Sequence, residues 1–442
     1  MPRHESLAPV RMERVALVVS AEYRQRMLAA VARSAVVELD LPYAPGRGAE
    51  ELDKAVAAAV VSGPAAALAG WVPRRELPAL TAMLAPLGAA VVPLPRPRWI
   101  QPPTLLSGRG RSGLSGTLVD TYGTVPYADL DPTWAAGMAY VLMFGMMFGD
   151  VGHGAILLGV GLFLRTGRSK RLAKLQKTWP FVSAAGLAAM FFGALYGEAF
   201  GPTGLVPVLW LQPLEDPVQF LIAGLWVGAV LLACSYAVGT VNRVREGGWA
   251  YALYARSGVA GSLLFLALGL LVWGLVTGTG PLTAAAVVIG LGALIFIYIG
   301  LFVEAGGGAT AVFQAFVELV DTVIRLGSNL ASFARLAAFG LTHAALLLVV
   351  WTATTALWGP GWGAAAAVLV FVVGNAVTFA LEALVAGIQA LRLEYYELFS
   401  RIFQSEGRPF RPWSPELITT AADPAAATSV TPSGTPAERQ SP

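Results

Sequence analysis

The sequence predicts an α-helical polytopic membrane protein of about eight transmembrane helices with a small N-terminal α/β, ferredoxin-like domain. Three observations carry that reading. The 442 residues are 56% hydrophobic and only 13% charged, against roughly 25% charged in soluble domains. From Trp134 onward, apolar segments near the ~20 residues needed to cross a bilayer follow one another almost without a break. Before Trp134, short segments of strand and helix period alternate.

The N-terminal part reads as strand RVALVV (14–19), helix Ala21–Arg33 and strand AVVELD (35–40). A Pro/Gly linker (Pro42–Gly48) and a short helical run (Glu50–Val61) lead to strand AAALAGWVP (65–73), helix Glu76–Leu84 and strand AAVVPLP (89–95). Two β-α-β units of this kind predict a split βαβ sheet. The expected organisation is a cytoplasmic α/β domain (1–106), a connector (107–133) and a membrane domain (134–403). A cytoplasmic tail (404–442) follows, disordered because it is rich in Ala, Thr, Ser and Pro.

Within the membrane domain, residues 134–164 are too long for one comfortable span and hold GDVGHG in the middle. They read as a tight helical hairpin whose turn is Gly149, Asp150, Gly152, His153 and Gly154, with Asp150 and His153 closing it by hydrogen bonds. Four spans follow at 179–200, 218–242, 258–276 and 282–303, then two polar ones at 327–348 and 364–403. Arg165–Lys177 holds six basic residues and no acid, and Arg243–Arg256 holds three arginines, so both loops are expected on the cytoplasmic side. That places both termini in the cytoplasm and the chain in the cell membrane.

Several function classes drop out. A net charge of +3, with basic residues confined between apolar segments, does not argue for nucleic acid. A single cysteine, Cys234, excludes an intrachain disulfide and a cysteine-based metal cluster. There is no G-x-x-x-x-G-K-[ST] loop and no G-x-G-x-x-G after a strand. No catalytic residue, metal or cofactor is expected.

The last two spans are the anomaly. A charge at the bilayer centre costs at least ~2.5 kcal/mol, so Arg335 is a functional candidate by default. Asp321 and Ser328 precede it by 14 and seven residues, within ~40° on the helical wheel. On the last span Asn375, Glu382, Gln389 and Tyr396 recur every seven residues, with Arg392 three beyond Gln389 and Glu394 next on the inner side. His343 lies about 12 Å outward of Arg335, and Glu382 about 15 Å outward of Arg392. The layout is protonatable groups outside, guanidinium in the middle, and an acid and a hydroxyl inside. Arginine stays charged at any relevant pH, so it can hold a passing carboxylate ionised while blocking proton leakage. Histidine and a partly buried glutamate suit a proton relay. Each residue also has a plainer reading: interhelical pairing for the arginines, packing for His343, and an amphipathic surface face for Gln314, Glu318, Asp321 and Arg325.

At these residues the chain resembles the membrane stator subunit of rotary V-type and A-type ATPases, subunit a or subunit I of the 116 kDa subunit family. The resemblance rests on MFGMMFGDVGHG (143–154), SNLASFARLAAFGLTHAAL (328–346) and LEALVAGIQALRLEYYELFSRIF (381–403). MERVALVV (12–19), GWVPRREL (70–77) and LVDTYGTVPY (118–127) add to it. It implies that Arg335 faces a proteolipid (c/K-type) ring carrying an ionisable carboxylate, with Arg392 as the second arginine. It further implies Glu382 and His343 in an outer half-channel, Asp321 and Ser328 in an inner one, and protons or, in some members, sodium ions as cargo. The implied partners are the ring, a central-stalk socket subunit, a peripheral stalk and the lipid bilayer. One departure is large: only about 130 residues precede the membrane here, where the family has two α/β lobes joined by a coiled coil. A stand-alone ion-coupled transporter or channel, and a shortened paralogue that no longer pumps, are the alternatives.

Overall fold

The computed structural model describes residues 8–42, 50–96, 100–106, 116, 119, 121–168, 170–403 and 407–415. The chain divides into two compact units, one of residues 11–100 with 410 onward, the other of 1–10 with 101–409.

The α/β unit follows the predicted alternation. Its elements are β1 (Met12–Ser20), α1 (Arg24–Ser34), β2 (Glu38–Leu39), α2 (Glu50–Ala58), β3 (Val60–Ser62), β4 (Ala65–Pro73), α3 (Leu77–Leu84) and β5 (Ala90–Pro93). All strand pairs are antiparallel in the order β2-β4-β1-β5, the split βαβ arrangement, and β3 adds to β4. In the central strand Val15, Leu17 and Val19 point to the buried face at period two, and Met27, Leu28 and Val31 of α1 cover them. The expected helix over 50–61 stops at Ala58, because the β-branched pair Val60–Val61 pairs with β4 instead. The expected linker 42–48 lies almost wholly outside the described residues, as do residues 107–115, 117, 118 and 120 of the connector and residues 404–406 and 416–442 of the expected tail.

Residues 410–415 of the expected tail belong to the α/β unit. Trp413 is buried in the core of the α/β unit, and its backbone N–H donates to Val37 O at 2.7 Å. Glu38 Oε2 accepts from the Arg411 N–H at 2.7 Å. A buried tryptophan removes a large apolar surface from water, which favours docking here.

The membrane unit comprises α4 (Thr133–Met147), α5 (Val151–Thr166), α6 (Trp179–Tyr196), α7 (Pro217–Tyr254), α8 (Val259–Thr277), α9 (Gly280–Glu304), α10 (Ala309–Ser332), α11 (Ala334–Leu357) and α12 (Trp362–Leu393). Among the described residues six helical stretches are long and apolar enough to cross a membrane, α10 and α11 counting as one stretch. The predicted hairpin is formed by α4 and α5, of 15 and 16 residues. Its turn is tighter than expected. Only Phe148, Gly149 and Asp150 lie between the helices, whereas Gly152, His153 and Gly154 form the first turn of α5. Asp150 is the N-cap, its side chain accepting from the His153 N–H at 2.8 Å, and such a cap starts a helix where glycines alone would prolong a loop.

Glycines bring α5 and α6 together. A Cβ on Gly186 would stand 2.5 Å from Leu158 N and 2.8 Å from Gly154 O, both backbone atoms that cannot move aside.

One stretch departs from expectation. Arg243–Arg256, expected as a loop, is mostly helical and continues α7 through a break at Gly248, whose φ of 79° is open to glycine. Arg243 is 1% exposed and pairs with Glu246 at 2.7 Å and Asp129 at 3.8 Å. Burial, reinforced by the charge of Glu246, pushes the Asp129 carboxyl above the usual carboxylate range, and Arg243 opposes the rise. Beside them Asn242 accepts from the Leu130 N–H at 3.0 Å and donates to Ile402 O at 3.3 Å. Arg256 pairs with Glu318 at 3.4 Å and Glu304 at 3.9 Å, so two of the three arginines used to orient this loop have acidic partners.

Two outcomes follow from this packing. Trp413→Ala should destabilise the α/β unit by about 3–5 kcal/mol, seen as faster proteolysis of residues 11–100 in the full chain. Gly186→Ala should lower the melting midpoint of the detergent-solubilised chain, at a cost of about 1–3 kcal/mol. Gly159→Ala, whose Cβ would meet nothing within 4 Å, should leave the midpoint unchanged or slightly raised.

Candidate functional site

The last two spans carry two buried polar clusters, one around Arg335 and one around His343, called inner and outer after the orientation expected from the loop charges. Three local irregularities position them. At Phe333 the helix tightens, with Phe333 N–H donating to Leu330 O and Leu336 N–H to Phe333 O, an i to i+3 pattern. Phe333 is fully buried, its ring seated on Gly228 of α7. At the far end of α12 a π-helical turn, Glu394–Phe399, precedes a last helical turn, Ser400–Ile402. Asp150 anchors the third irregularity, the hairpin turn.

The inner cluster gathers around Arg335, which is half-buried. Its Nη1 is buried and makes no hydrogen bond, and no acid lies within ion-pair distance of it, among the described residues. Its charged neighbours are Arg392 and Glu397. Glu397 is buried and also faces Arg401 and Ser332. With its amide turned to the orientation its neighbours favour, Asn329 bridges Glu397 and Arg401, its nitrogen donating to Glu397 Oε2 at 2.9 Å while its oxygen accepts from Arg401. One carboxylate thus sits among three guanidinium groups. Glu394 is 0% exposed, stands beside Tyr140 and Tyr395, and neither of its oxygens has a hydrogen-bond partner among the described residues. Gln389 is half-buried with an unpartnered Oε1, and Arg392 is exposed.

Asp321 and Ser328 are not brought to this cluster. Both are exposed, and Asp321 Oδ2 accepts from Arg325 Nε at 2.5 Å along α10. The tightened turn at Phe333 rotates α11 relative to α10, so the stripe drawn on one continuous helix does not run through it.

The outer cluster joins four elements. His343 of α11 is 1% exposed, with neither ring nitrogen hydrogen-bonded among the described residues. His153 of α5 lies 5.6 Å from it between ring centroids, and its Nε2 is 3.1 Å from Asn375 Oδ1 of α12. Asp150 holds two backbone donors, His153 N–H at 2.8 Å and Gly201 N–H at 3.0 Å. Glu198 is buried beside Asp150, and its backbone oxygen accepts from Val151 N–H at 2.9 Å. Phe148 and Phe379 wall the cluster, with rings 5.0 and 5.5 Å from His343 and His153 respectively. Glu382, also buried, lies three residues beyond Phe379 on α12.

Residues 60–206 match the V-type ATPase 116 kDa subunit family. The chain is similar to A-type ATP synthase subunit I of Pyrococcus horikoshii, 27% identical over 310 residues that cover 67% of this chain and 45% of the relative. It is 28% identical to the subunit I of Aeropyrum pernix over 344 residues, covering 67% and 49%. To that of Archaeoglobus fulgidus it is 26% identical over 399 residues, covering 78% and 58%. It is a multi-pass membrane protein with six candidate spans among the described residues, and it spans about half the length of the curated relatives it matches.

Sequence reasoning missed Glu198, Glu397, Asn329 and Arg401. Glu397 and Arg401 stand four apart, a spacing that pairs charges on a helix, but the heptad register pointed to Tyr396 instead. Tyr396 is 70% exposed, because the wider π turn shifts the buried face onto Glu394 and Glu397. Glu198 gave one signal, an acid at the end of an apolar run between glycines 197 and 201.

The two inner acids should respond oppositely to neutralisation. Glu397→Gln removes a carboxylate that faces three guanidinium groups and should cost about 1–3 kcal/mol. Glu394→Gln replaces a fully buried carboxyl that has no hydrogen-bond partner among the described residues by a neutral amide of the same shape, and should leave the melting midpoint unchanged or raised. Thermal unfolding of both variants in detergent at neutral pH decides this, and an equal loss in both would mean Glu394 has a partner after all.

Proposed function

We propose that this chain is the membrane stator subunit of a rotary V/A-type ATPase. It forms two aqueous half-paths and passes protons to and from the carboxylates of a separate proteolipid ring. The observation that carries the reading is the charge balance around Arg335: a buried guanidinium nitrogen without a hydrogen bond, beside a second arginine, with one shared acid in reach. An intramembrane cation in that state is costly unless a carboxylate meets it. A ring carboxylate arriving at Arg335 would be held ionised, because guanidinium does not give up its proton.

The outer half-path uses His343, Glu382, His153, Asp150, Glu198 and Asn375. The hairpin supports this. Helices of 15 and 16 residues reach only ~22–24 Å, short of the ~30 Å hydrocarbon core, which brings the turn and its polar groups below the outer surface. The inner half-path uses Glu394 and Gln389 beside Glu397, with Ser328 and Asp321 at its mouth. Exposed apolar residues on α10, Phe313, Phe316 and Ile324 among them, offer a face to the ring or to lipid. The chain sits in the cell membrane with both termini cytoplasmic. Contacts with a central-stalk socket subunit and a peripheral stalk belong to the same reading, as does proton or sodium cargo.

Reconstituted ATPase carrying Arg335→Ala should hydrolyse ATP without acidifying the vesicle lumen, as read by a pH-sensitive dye. ATP-driven acidification at the wild-type rate would reject the stator role.

A further inference from the structure

The outer cluster has a property that a proton path alone does not require. One oxygen each of Asp150 and Glu198 and one ring nitrogen of His343 all lie within 4.8 Å of one another, and all three residues are buried. The three side chains come from separate elements: the hairpin turn, the segment after α6, and α11. His343 supplies the observation that points to a ligand. Its ring is 1% exposed, neither nitrogen has a hydrogen-bond partner among the described residues, and one of them faces the two carboxylates.

We propose that Asp150, Glu198 and His343 bind a divalent transition-metal cation of the Zn²⁺ type. One imidazole with two carboxylates is a donor set that suits zinc and its first-row neighbours, and it leaves a fourth position for water. Tetrahedral zinc with ligands at 2.0–2.2 Å sets them ~3.3–3.6 Å apart, so donors that lie within 4.8 Å of one another need to close by no more than about an ångström. Asp150 is already oriented, since each oxygen accepts one backbone N–H, from His153 and from Gly201. Such outer contacts fix a ligand without using all its lone pairs. Two buried carboxylates this close repel, and a divalent cation cancels their charge. His153, with ring centroid 5.6 Å from that of His343 and an Nδ1 lacking a hydrogen bond, lies at the edge of the site.

The chain has few rival donors: three histidines in all and one cysteine. A metal on His343 would remove it from proton exchange. Binding of the metal stands independently of the stator reading, whereas that consequence rests on it.

The test uses the full chain purified without a polyhistidine tag, carrying Cys234→Ser and stripped with a chelator. Equilibrium dialysis against Zn²⁺ with elemental analysis should find one tightly held zinc per chain. Glu198→Gln and His343→Gln should each weaken it by 10-fold or more. Zn²⁺ should raise the melting midpoint of the parent chain and of neither variant. Asp150 is left intact because it caps α5. Zinc bound with unchanged affinity in both variants, or no thermal shift in the parent chain, would overturn the proposal.

Discussion

A cation removed from water must be paired or solvated by protein, and the last two spans are shaped around that requirement. Arg335, Arg392 and Arg401 share one buried acid, Glu397. Regular helices would not deliver this grouping. Phe333, seated on Gly228, tightens one helix just before Arg335, and the π turn of the other carries Glu397 inward. Both irregularities flank the arginines, and each changes which residues face the seam. Backbone distortions of this kind persist where the surrounding packing over-determines them.

The opposite cluster is built by different means. Its charged groups are carried by loops, and backbone hydrogen bonds hold those loops together: Val151 to Glu198, and Asp150 to the N–H groups of His153 and Gly201. The hairpin thereby ties the segment after α6 to the face of α11 where His343 lies. Small residues along α5 and α6 permit the approach, with Gly154 and Gly186 replacing the side chains that would hold these backbones apart. The inner seam is a matter of charge balance, and the outer one of backbone geometry.

Much of the fold was legible. Hydropathy located the spans at 179–200, 258–276 and 282–303 to within a few residues but ended 218–242 twelve residues early and missed both ends of the stretch around 327–348. The short segments RVALVV and AAALAGWVP located the two central strands. The position and charge of Arg335 were equally plain, since arginine in an apolar run has few explanations. What escaped notice depended on register. Wheel arithmetic assumes 3.6 residues per turn, so it carried the stripe through Phe333 to Asp321 and through the π turn to Tyr396, where the real backbone departs from that period. Glu198 escaped because a loop has no period to read. Trp413 escaped because a compositional argument about the tail averages over the single residue that docks.

The π turn has one more consequence. A wide turn absorbs one extra residue into a helix without breaking it, so the segment after Leu393 behaves as a frameshift in space rather than in code. Upstream, Asn375 and Glu382 keep their seven-residue beat against α11. Downstream, Glu397 and Arg401 are released from that beat and can be set by the pairing they need. The two ends of a single helix are thereby uncoupled in register, and sequence drift at the inner end leaves the outer end in phase.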